Sequence, residues 1–305
     1  MNPKQLRIIA IVLGVVVVLW GLSEVVGGGR DQRETVTLLV PISPEETDRV
    51  MLVNSGDTLE FRRADDAWTV NGFSADSDAI TELFAAVANP PEAELISTSA
   101  SVHARMGVDS ANGKQLTFFS GDELIASIVV GNRGRGFNRS YVRDPNEDEV
   151  YSYNGPLTSL VGRQIDYWRN KVITDVSSSD IASVRVSRET GRYVLDKVED
   201  RWMIDGDTEA DSVAVHRLLR RFQPLLATSF ATTEQEDSAD FVRPDRTVTL
   251  LGAMGDTLAA LAFDSTDGGF WVRRGSDPTV YKVLRFNADR VTPADSTLGA
   301  QGESQ

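Results

Sequence analysis

Most of this chain consists of two similar sequence repeats. Residues 65–72, which read DDAWTVNG, recur as EDRWMIDG at 199–206, and the GDEL of 121–124 recurs as GDTL at 255–258. The shift is about 130 to 135 residues at every matched segment. Recurrence in fixed order over such a length indicates a duplicated domain rather than a solenoid of short repeats. The fold must therefore be one that a unit of this size can adopt in tandem.

The duplication also predicts the domain bounds. The first repeat covers residues 47–172 and the second covers 180–292, with a short serine-rich linker between them. Residues 30–46 are expected to form a linker with a short strand, and 293–305 a polar tail. A chain of 305 residues has the right length for two domains that each bury a core.

In each repeat the spacing of the apolar residues changes between strand-like and helix-like periods, and it does so in the same order. Short alternating runs predict strands, one of which carries Trp68 in the first repeat and Trp202 in the second, and both indoles are expected in the core. Asp76 and Asp211 then precede segments of helical apolar spacing, where each can cap a helix. Further apolar runs joined by tight turns predict antiparallel strands. Each repeat is therefore predicted to be α+β, with one principal helix on a curved antiparallel sheet.

The N-terminus predicts a membrane anchor. Residues 8–22 are all apolar or Gly, and counting through Val26 gives about nineteen residues, close to the length that spans a hydrocarbon core. A cleaved signal peptide is the alternative, but no small-residue cleavage site follows the run. We predict that residues 1–29 form a retained transmembrane helix in the inner membrane. Basic residues flank both ends, so the charge bias toward periplasmic C-terminal domains is slight.

The amino-acid composition disfavours several classes of function. The formal net charge of −14 disfavours nucleic acid and a polybasic contact with anionic lipid. The chain has no cysteine, which excludes thiol catalysis, disulfides and cysteine metal sites. Its two histidines, His103 and His216, occupy different places in the two repeats and have no paired ligand spacing. We therefore predict no catalytic residue, no cofactor and no metal site.

The most distinctive local run is 131–139, which reads GNRGRGFNR. Its glycines could form a backbone nest for phosphate or carboxylate, and Arg133, Arg135 and Arg139 could add bidentate contacts. The aligned run of the second repeat, 264–269, is acidic instead. Anion binding, a protein contact and plain surface all stay open, and the three arginines are the candidate binding loop.

Two other patterns are weaker. Residues 144–148, DPNED, place acidic or amide side chains as in the first half of a calcium loop, but Glu149 stands where glycine is required and Gly155 where a glutamate is required. Exposed tryptophans could stack on a sugar, although the flanks of Trp68 and Trp202 favour the core. No carboxylate pair is marked out for glycoside hydrolysis.

The order of these elements resembles the domain-of-unknown-function 4340 family. The residues that carry the resemblance in the first repeat are Trp68, Gly72, Ala75, Asp76, Gly107, Val108, Asp109, Tyr141, Val142, Val150 and Tyr151. In the second repeat Arg243-Pro244-Asp245 replaces the turn that contains glycine. The resemblance implies an envelope protein with one N-terminal membrane helix that serves a gliding-motility-type ABC transporter, and it supplies no catalytic residues.

Two functions are consistent with these features. The first is a membrane-anchored extracytoplasmic accessory or scaffold that binds ABC transporter subunits or their substrate, without catalysis of its own. The alternative is a membrane-tethered enzyme or carrier acting on an envelope glycan or lipid at the cleft between the two domains. A purely structural spacer is a third possibility.

Overall fold

The structure, a computed structural model, describes residues 35–54 and 56–299. The predicted anchor at 1–29, the first part of the linker and the last residues of the tail lie outside these ranges. Among the helices that the structure describes, none is both long enough and apolar enough to cross a membrane.

The helices are few and short. They are α1 Ser77–Ala85, α2 His103–Met106, α3 Leu157–Val161, α4 Ile165–Trp168, α5 Ser212–Leu219, α6 Thr233–Ser238 and α7 Arg285–Val291. Single 3-10 turns cover Ala100–Val102, Arg220–Phe222 and Asp295–Thr297.

Strands make up most of the regular structure. In the first half they are β1 Thr35–Val36, β2 Arg49–Val53, β3 Thr58–Ala64, β4 Ala67–Val70, β5 Phe73–Ser74, β6 Ala93–Ser97, β7 Lys114–Ser120, β8 Glu123–Arg133, β9 Arg139–Arg143 and β10 Val150–Asn154. In the second half they are β11 Val172–Thr174, β12 Ser183–Arg188, β13 Gly191–Val198, β14 Arg201–Ile204, β15 Thr208–Glu209, β16 Leu225–Leu226, β17 Ser229–Phe230, β18 Arg246–Leu251, β19 Thr257–Thr266, β20 Gly269–Arg274 and β21 Val280–Leu284.

The chain forms two compact units. Within the described residues, 35–63 and 81–163 form the first, while 64–80 and 164–299 form the second. The strands of the first lie in the order β1-β6-β10-β9-β8-β7-β2-β3. The nine-stranded sheet of the second has the order β15-β14-β13-β12-β18-β19-β20-β21-β17, and all of these ladders are antiparallel. The prediction of an α+β chain with antiparallel sheets is confirmed, and the chain is sheet-rich with few helices.

Alternation along the strands builds the core of the second unit. On β12, Val184 and Val186 are buried while Arg185 between them is exposed. Phe222, Phe263 and Phe270 complete a continuous apolar cluster with the underside of α5. Each fully buried side chain of this kind stabilises the fold by about 1.5–3 kcal/mol. In the first unit, Phe84 of α1 packs against Phe118 of β7 with ring centroids 6.2 Å apart.

The predicted helix caps are confirmed. Asp211 accepts hydrogen bonds from the backbone amides of Val213 and Ala214, and Asp76 accepts them from Asp78 and Ala79. The capping geometry is the same in both helices because the residues at each helix start are the same in both repeats.

The two tryptophans differ. Trp202 is buried in the core of the second unit, as expected. Trp68 is only half-buried, so the prediction that both indoles are core residues is wrong for Trp68.

A buried arginine follows α4. Arg169 has only 5% of its surface exposed, and its guanidinium carbon lies 3.6 Å from the ring centre of Phe73 and 3.7 Å from that of Phe230. Its Nε and Nη2 atoms make no hydrogen bond to any described residue. Burial lowers the pKa of Arg169, and the carboxylate of Asp166 opposes this shift only in part.

Candidate functional site

An arginine-lined cavity lies in the first unit. Its volume is about 880 Å³, and it is bounded by β6, β9, β10, the β8–β9 hairpin loop and the helical segment 100–106. The lining residues are Glu94, Ile96, Ser97, Val102, Arg105, Met106, Arg135, Arg139, Tyr141 and Ser152. We call this space the first-unit cavity. Three of its ten lining residues are arginines, although the chain as a whole is strongly acidic.

Arg139 is fixed in the wall of the cavity. Its Nη1 atom donates to Glu94 at 3.2 Å and to Ser152 at 3.1 Å. The strand ladder explains this contact, because Ser152 on β10 lies opposite both Glu94 on β6 and Tyr141 on β9. Arg139 and Tyr141 are two residues apart on β9, so they share one face of the sheet. The arginine is thereby held at one end of the cavity with its charge partly neutralised.

Arg105 and Arg135 carry the unbalanced charge. Within the described residues neither of them has a carboxylate within 4.0 Å, whereas Arg139 does. Both are exposed, one on α2 and the other in the hairpin loop. The first-unit cavity therefore has net positive charge and free guanidinium donors.

The hairpin is held against α2 by a close backbone approach. A side chain at Gly131 would place its Cβ 2.4 Å from the carbonyl oxygen of Met106, so only glycine fits there. The Gly131 carbonyl accepts a hydrogen bond from Thr158, and Asn132 donates to the carbonyl of Arg105. A register shift in the β8–β9 ladder accompanies this contact. These contacts bring the arginine loop beside Arg105.

The three arginines of the predicted binding loop do not all line the same cavity. Arg135 and Arg139 line the first-unit cavity, whereas Arg133 does not. Arg133 lines a second cavity of about 280 Å³, together with Phe137 and the other side of Arg139. Phe137 at the hairpin tip is 97% exposed. The loop thus offers two charged surfaces and an exposed aromatic ring.

The second unit has a different set of residues at the matching places. From the ladder register, Glu94, Arg139 and Ser152 correspond to Ser229, Gly269 and Lys282. The hairpin loop shortens from residues 134–138 to the pair 267–268. The helical segment that carries Arg105 corresponds to α6, which reads TEQEDS. None of the positive charges of the first-unit cavity is therefore needed to form the fold.

Acidic residues occupy the part of the second unit that corresponds to the first-unit cavity. Asp264 accepts a hydrogen bond from the amide of Asp240, and Asp245 accepts one from the amide of Ser265. Burial, and then the nearby carboxylates of Asp245 and Asp240, raise the pKa of Asp264. These two hydrogen bonds link strand β19 to the segment 240–245.

The lining residues include groups that can bind an anion. The cavity wall contains guanidinium groups, two serine hydroxyls, the phenol of Tyr141 and one carboxylate that is paired with Arg139. Across the described chain, no group of three or more acidic or imidazole side chains could hold a metal ion. Arginine forks of this kind recognise carboxylate or phosphate.

The other sequence candidates have structural roles. Nε2 of His103 donates to the carbonyl of Asp148 at 2.8 Å, and Nδ1 of His216 donates to the carbonyl of Ser212 at 2.6 Å. In the calcium-like turn, Nη1 of Arg143 donates to the carbonyl oxygens of Asp144, Pro145 and Glu147 at 2.9, 3.1 and 2.9 Å. A guanidinium group thus occupies the centre of that turn.

Sequence reasoning missed Glu94, Arg105 and Ser152. Arg105 could have been found by comparing the repeats, because the corresponding helix of the second repeat is acidic. Glu94 and Ser152 have no such signal, since their pairing with Arg139 depends on strand register over 45 and 13 residues.

The fold and the cavity define a sheet-rich α+β protein with an arginine-lined cavity in its first unit. The chain belongs to the family described as domain of unknown function (DUF4340), whose model matches residues 68–244, more than half of the 305 residues. Neither the curated proteins nor the solved structures gave a match.

Proposed function

We propose that this chain is a non-catalytic binding protein that serves a gliding-motility-type ABC transporter from the outer side of the inner membrane. In this proposal residues 1–29 anchor it in the membrane, and two tandem homologous domains, each a curved sheet with one principal helix, extend into the periplasm. The first repeat carries the recognition surface, and the partner is a transporter subunit.

The single observation that carries the proposal is the unbalanced positive charge of the first-unit cavity. Arg105 and Arg135 lie there without carboxylate partners among the described residues, in a chain of net charge −14. Free arginines beside an exposed aromatic ring are typical of the residues that dominate protein interfaces. Phe137 supplies that ring. We infer that the partner inserts a carboxylate-bearing segment into the cavity and covers the hairpin tip.

Purification under mild detergent tests this function. The tagged full-length protein, taken from its own host, should bring down integral-membrane subunits of one ABC transporter, as identified by mass spectrometry. If the protein is recovered intact and no transporter subunit accompanies it, the proposal fails.

A carrier for a small anionic envelope molecule is the second candidate. Its support is the cavity volume of about 880 Å³, which lies within the range of small-molecule sites, about 300–1,000 Å³. Extraction of the purified protein with organic solvent, followed by mass spectrometry, distinguishes the carrier from the accessory protein. A stoichiometric bound lipid or glycan favours the carrier, and a clean extract together with a bound transporter subunit favours the accessory protein.

A further inference from the structure

A second concentration of arginines lies on the second unit. Arg217 at the end of α5, Arg220 and Arg221 in the following 3-10 turn, and Arg290 of α7 come together on one side. We call these four residues the arginine face. They line two open depressions of about 550 and 240 Å³, which share Arg220 and Arg221. The net charge of the chain conceals this local excess of positive charge.

The charges of the arginine face are not neutralised by the protein. Within the described residues none of the four guanidinium groups has a carboxylate within 4.0 Å. The neighbouring Asp289 is already paired with Arg246 at 2.6 Å. Desolvation, and then the like charges of Arg290, Arg217 and Arg220, lower the pKa of Arg221. Four mutually repelling cations oppose folding, so their presence calls for a role outside the folded core.

The duplication shows that the fold does not require them. In the helix of the first repeat, Glu82, Ala85 and Ala86 stand at the places of Arg217, Arg220 and Arg221, with the same shift of about 135 residues that relates the two caps. The apolar residues on the inner side of the same helix are retained as a class. Selection on the core therefore does not explain the arginines.

Exposed apolar side chains lie among these charges. Phe286 is 63% exposed, and the guanidinium carbon of Arg290 lies 4.4 Å from its ring centre. Val213 lines the larger depression at 63% exposure, and Leu226 lines the smaller one at 49% exposure. Cations interleaved with exposed aromatic and aliphatic groups are typical of surfaces that enter the headgroup region of an anionic bilayer. Leucine and valine are under-represented among the residues that dominate protein interfaces, so Val213 and Leu226 favour a lipid surface over an acidic protein partner.

We propose that the arginine face docks the second unit onto anionic phospholipid headgroups. The guanidinium groups bind the phosphates, and Phe286, Val213 and Leu226 enter the interfacial layer. The predicted anchor at 1–29 would keep the effective lipid concentration high, so a weak contact is enough. The acidic remainder of the surface is repelled by the same lipids, which makes this the side that faces the membrane. This contact is separate from the first-unit cavity and goes beyond the proposed function.

The chain offers a clean probe because it has no cysteine. The full-length protein with Val213→Cys, labelled with an environment-sensitive dye, is placed in nanodiscs of phosphatidylcholine alone or mixed with phosphatidylglycerol. We expect a blue-shifted emission and quenching by lipid nitroxides only with the anionic lipid. Salt at about 1 M, where the Debye length falls to about 3 Å, should reverse both. The reference label is Met254→Cys, at a turn residue that is 94% exposed in the same unit, and it should not respond.

Matched charge variants decide the assignment. Replacing Arg217, Arg221 and Arg290 by Gln should weaken docking about fivefold per residue, or roughly a hundredfold together. The control replaces Arg185, Arg188 and Arg192 of the β12–β13 hairpin by Gln, which removes the same charge from the same unit. Equal loss in both triple variants, or a dye response that ignores lipid charge, overturns the proposal. It is also overturned if the dye responds only when an acidic protein is added. Arg105 and Arg135 variants should leave docking unchanged, which keeps this test independent of transporter binding.

Discussion

Replacement of Arg169 tests how a buried charge is tolerated in the second unit. The guanidinium group is stacked between Phe73 and Phe230, and each desolvated cation–π contact contributes about 2 kcal/mol. The two donors without an acceptor in the described chain, Nε and Nη2, each cost about 1–3 kcal/mol. The favourable sum of about 4 kcal/mol and the unfavourable sum of about 4 kcal/mol therefore nearly cancel.

Two substitutions separate charge from packing. Arg169→Met keeps an unbranched apolar stem between the rings and removes both unmet donors, so we expect the free energy of unfolding to change by less than about 1 kcal/mol. Arg169→Ala also removes the stem and leaves a void, so we expect a loss of about 3 kcal/mol.

Urea unfolding followed by tryptophan fluorescence measures both variants, with Trp168 next to the substituted position and Trp202 in the same unit. The reasoning is refuted if Arg169→Met is as unstable as Arg169→Ala. That result would mean that the guanidinium charge is stabilised by an interaction other than the two ring contacts counted above.

Three further outcomes follow from local geometry. Asp211→Ala should lower the stability of the second unit by about 1 kcal/mol in urea, and an unchanged midpoint would argue against the cap. Burial raises the pKa of Tyr153 to about 12, so the protonated phenol contributes fully to the stability of the folded state below pH 10. This contribution is lost, by up to about 3 kcal/mol, as the pH rises from 10 to 12. Tyr153→Phe should flatten the alkaline fall in the free energy of unfolding, and an identical slope would contradict the prediction. Arg143→Ala should lower the free energy of unfolding by about 3 kcal/mol in thermal unfolding, because backbone carbonyls lose a charged donor. Arg143→Lys should recover less than half of that loss. Full recovery by Lys would show that only the charge is needed.

Much of the fold could be predicted because its signals are local. Asp76 and Asp211 each cap the helix that begins next to them, and the alternation of Val184 and Val186 marks the buried face of a strand. The short helices α3, α4 and α6 were not predicted, since four to six residues give too little apolar periodicity to detect. The partial exposure of Trp68 was missed because the similar sequence context of Trp202 suggested similar burial.

The site could be predicted only in part. The contrast between the two repeats pointed to the loop of Arg133, Arg135 and Arg139, and the structure places the last two in one cavity. That Arg133 faces another cavity depends on the ladder shift at Gly131 and Asn132, which no composition signal marks. The ion pair of Arg139 with Glu94 depends on sheet register between distant segments. The arginine face was hidden for a different reason, because overall net charge averages over both repeats.

The central claim is that the first-unit cavity recognises a transporter subunit. The most direct measurement is quantitative mass spectrometry of the subunits that copurify with the full-length protein carrying Arg105→Gln and Arg135→Gln. The reference replaces Arg62 and Arg63 of β3 by Gln, which removes the same charge from exposed positions of the first unit outside both cavities. Interface arginines of this kind contribute about 2 kcal/mol or more each, so the double variant should weaken the affinity by about 4 kcal/mol, on the order of a thousandfold. Less than about a tenth of the partner should then be recovered, while the reference variant stays near wild type. Equal recovery with the double variant and with the wild type would contradict the account.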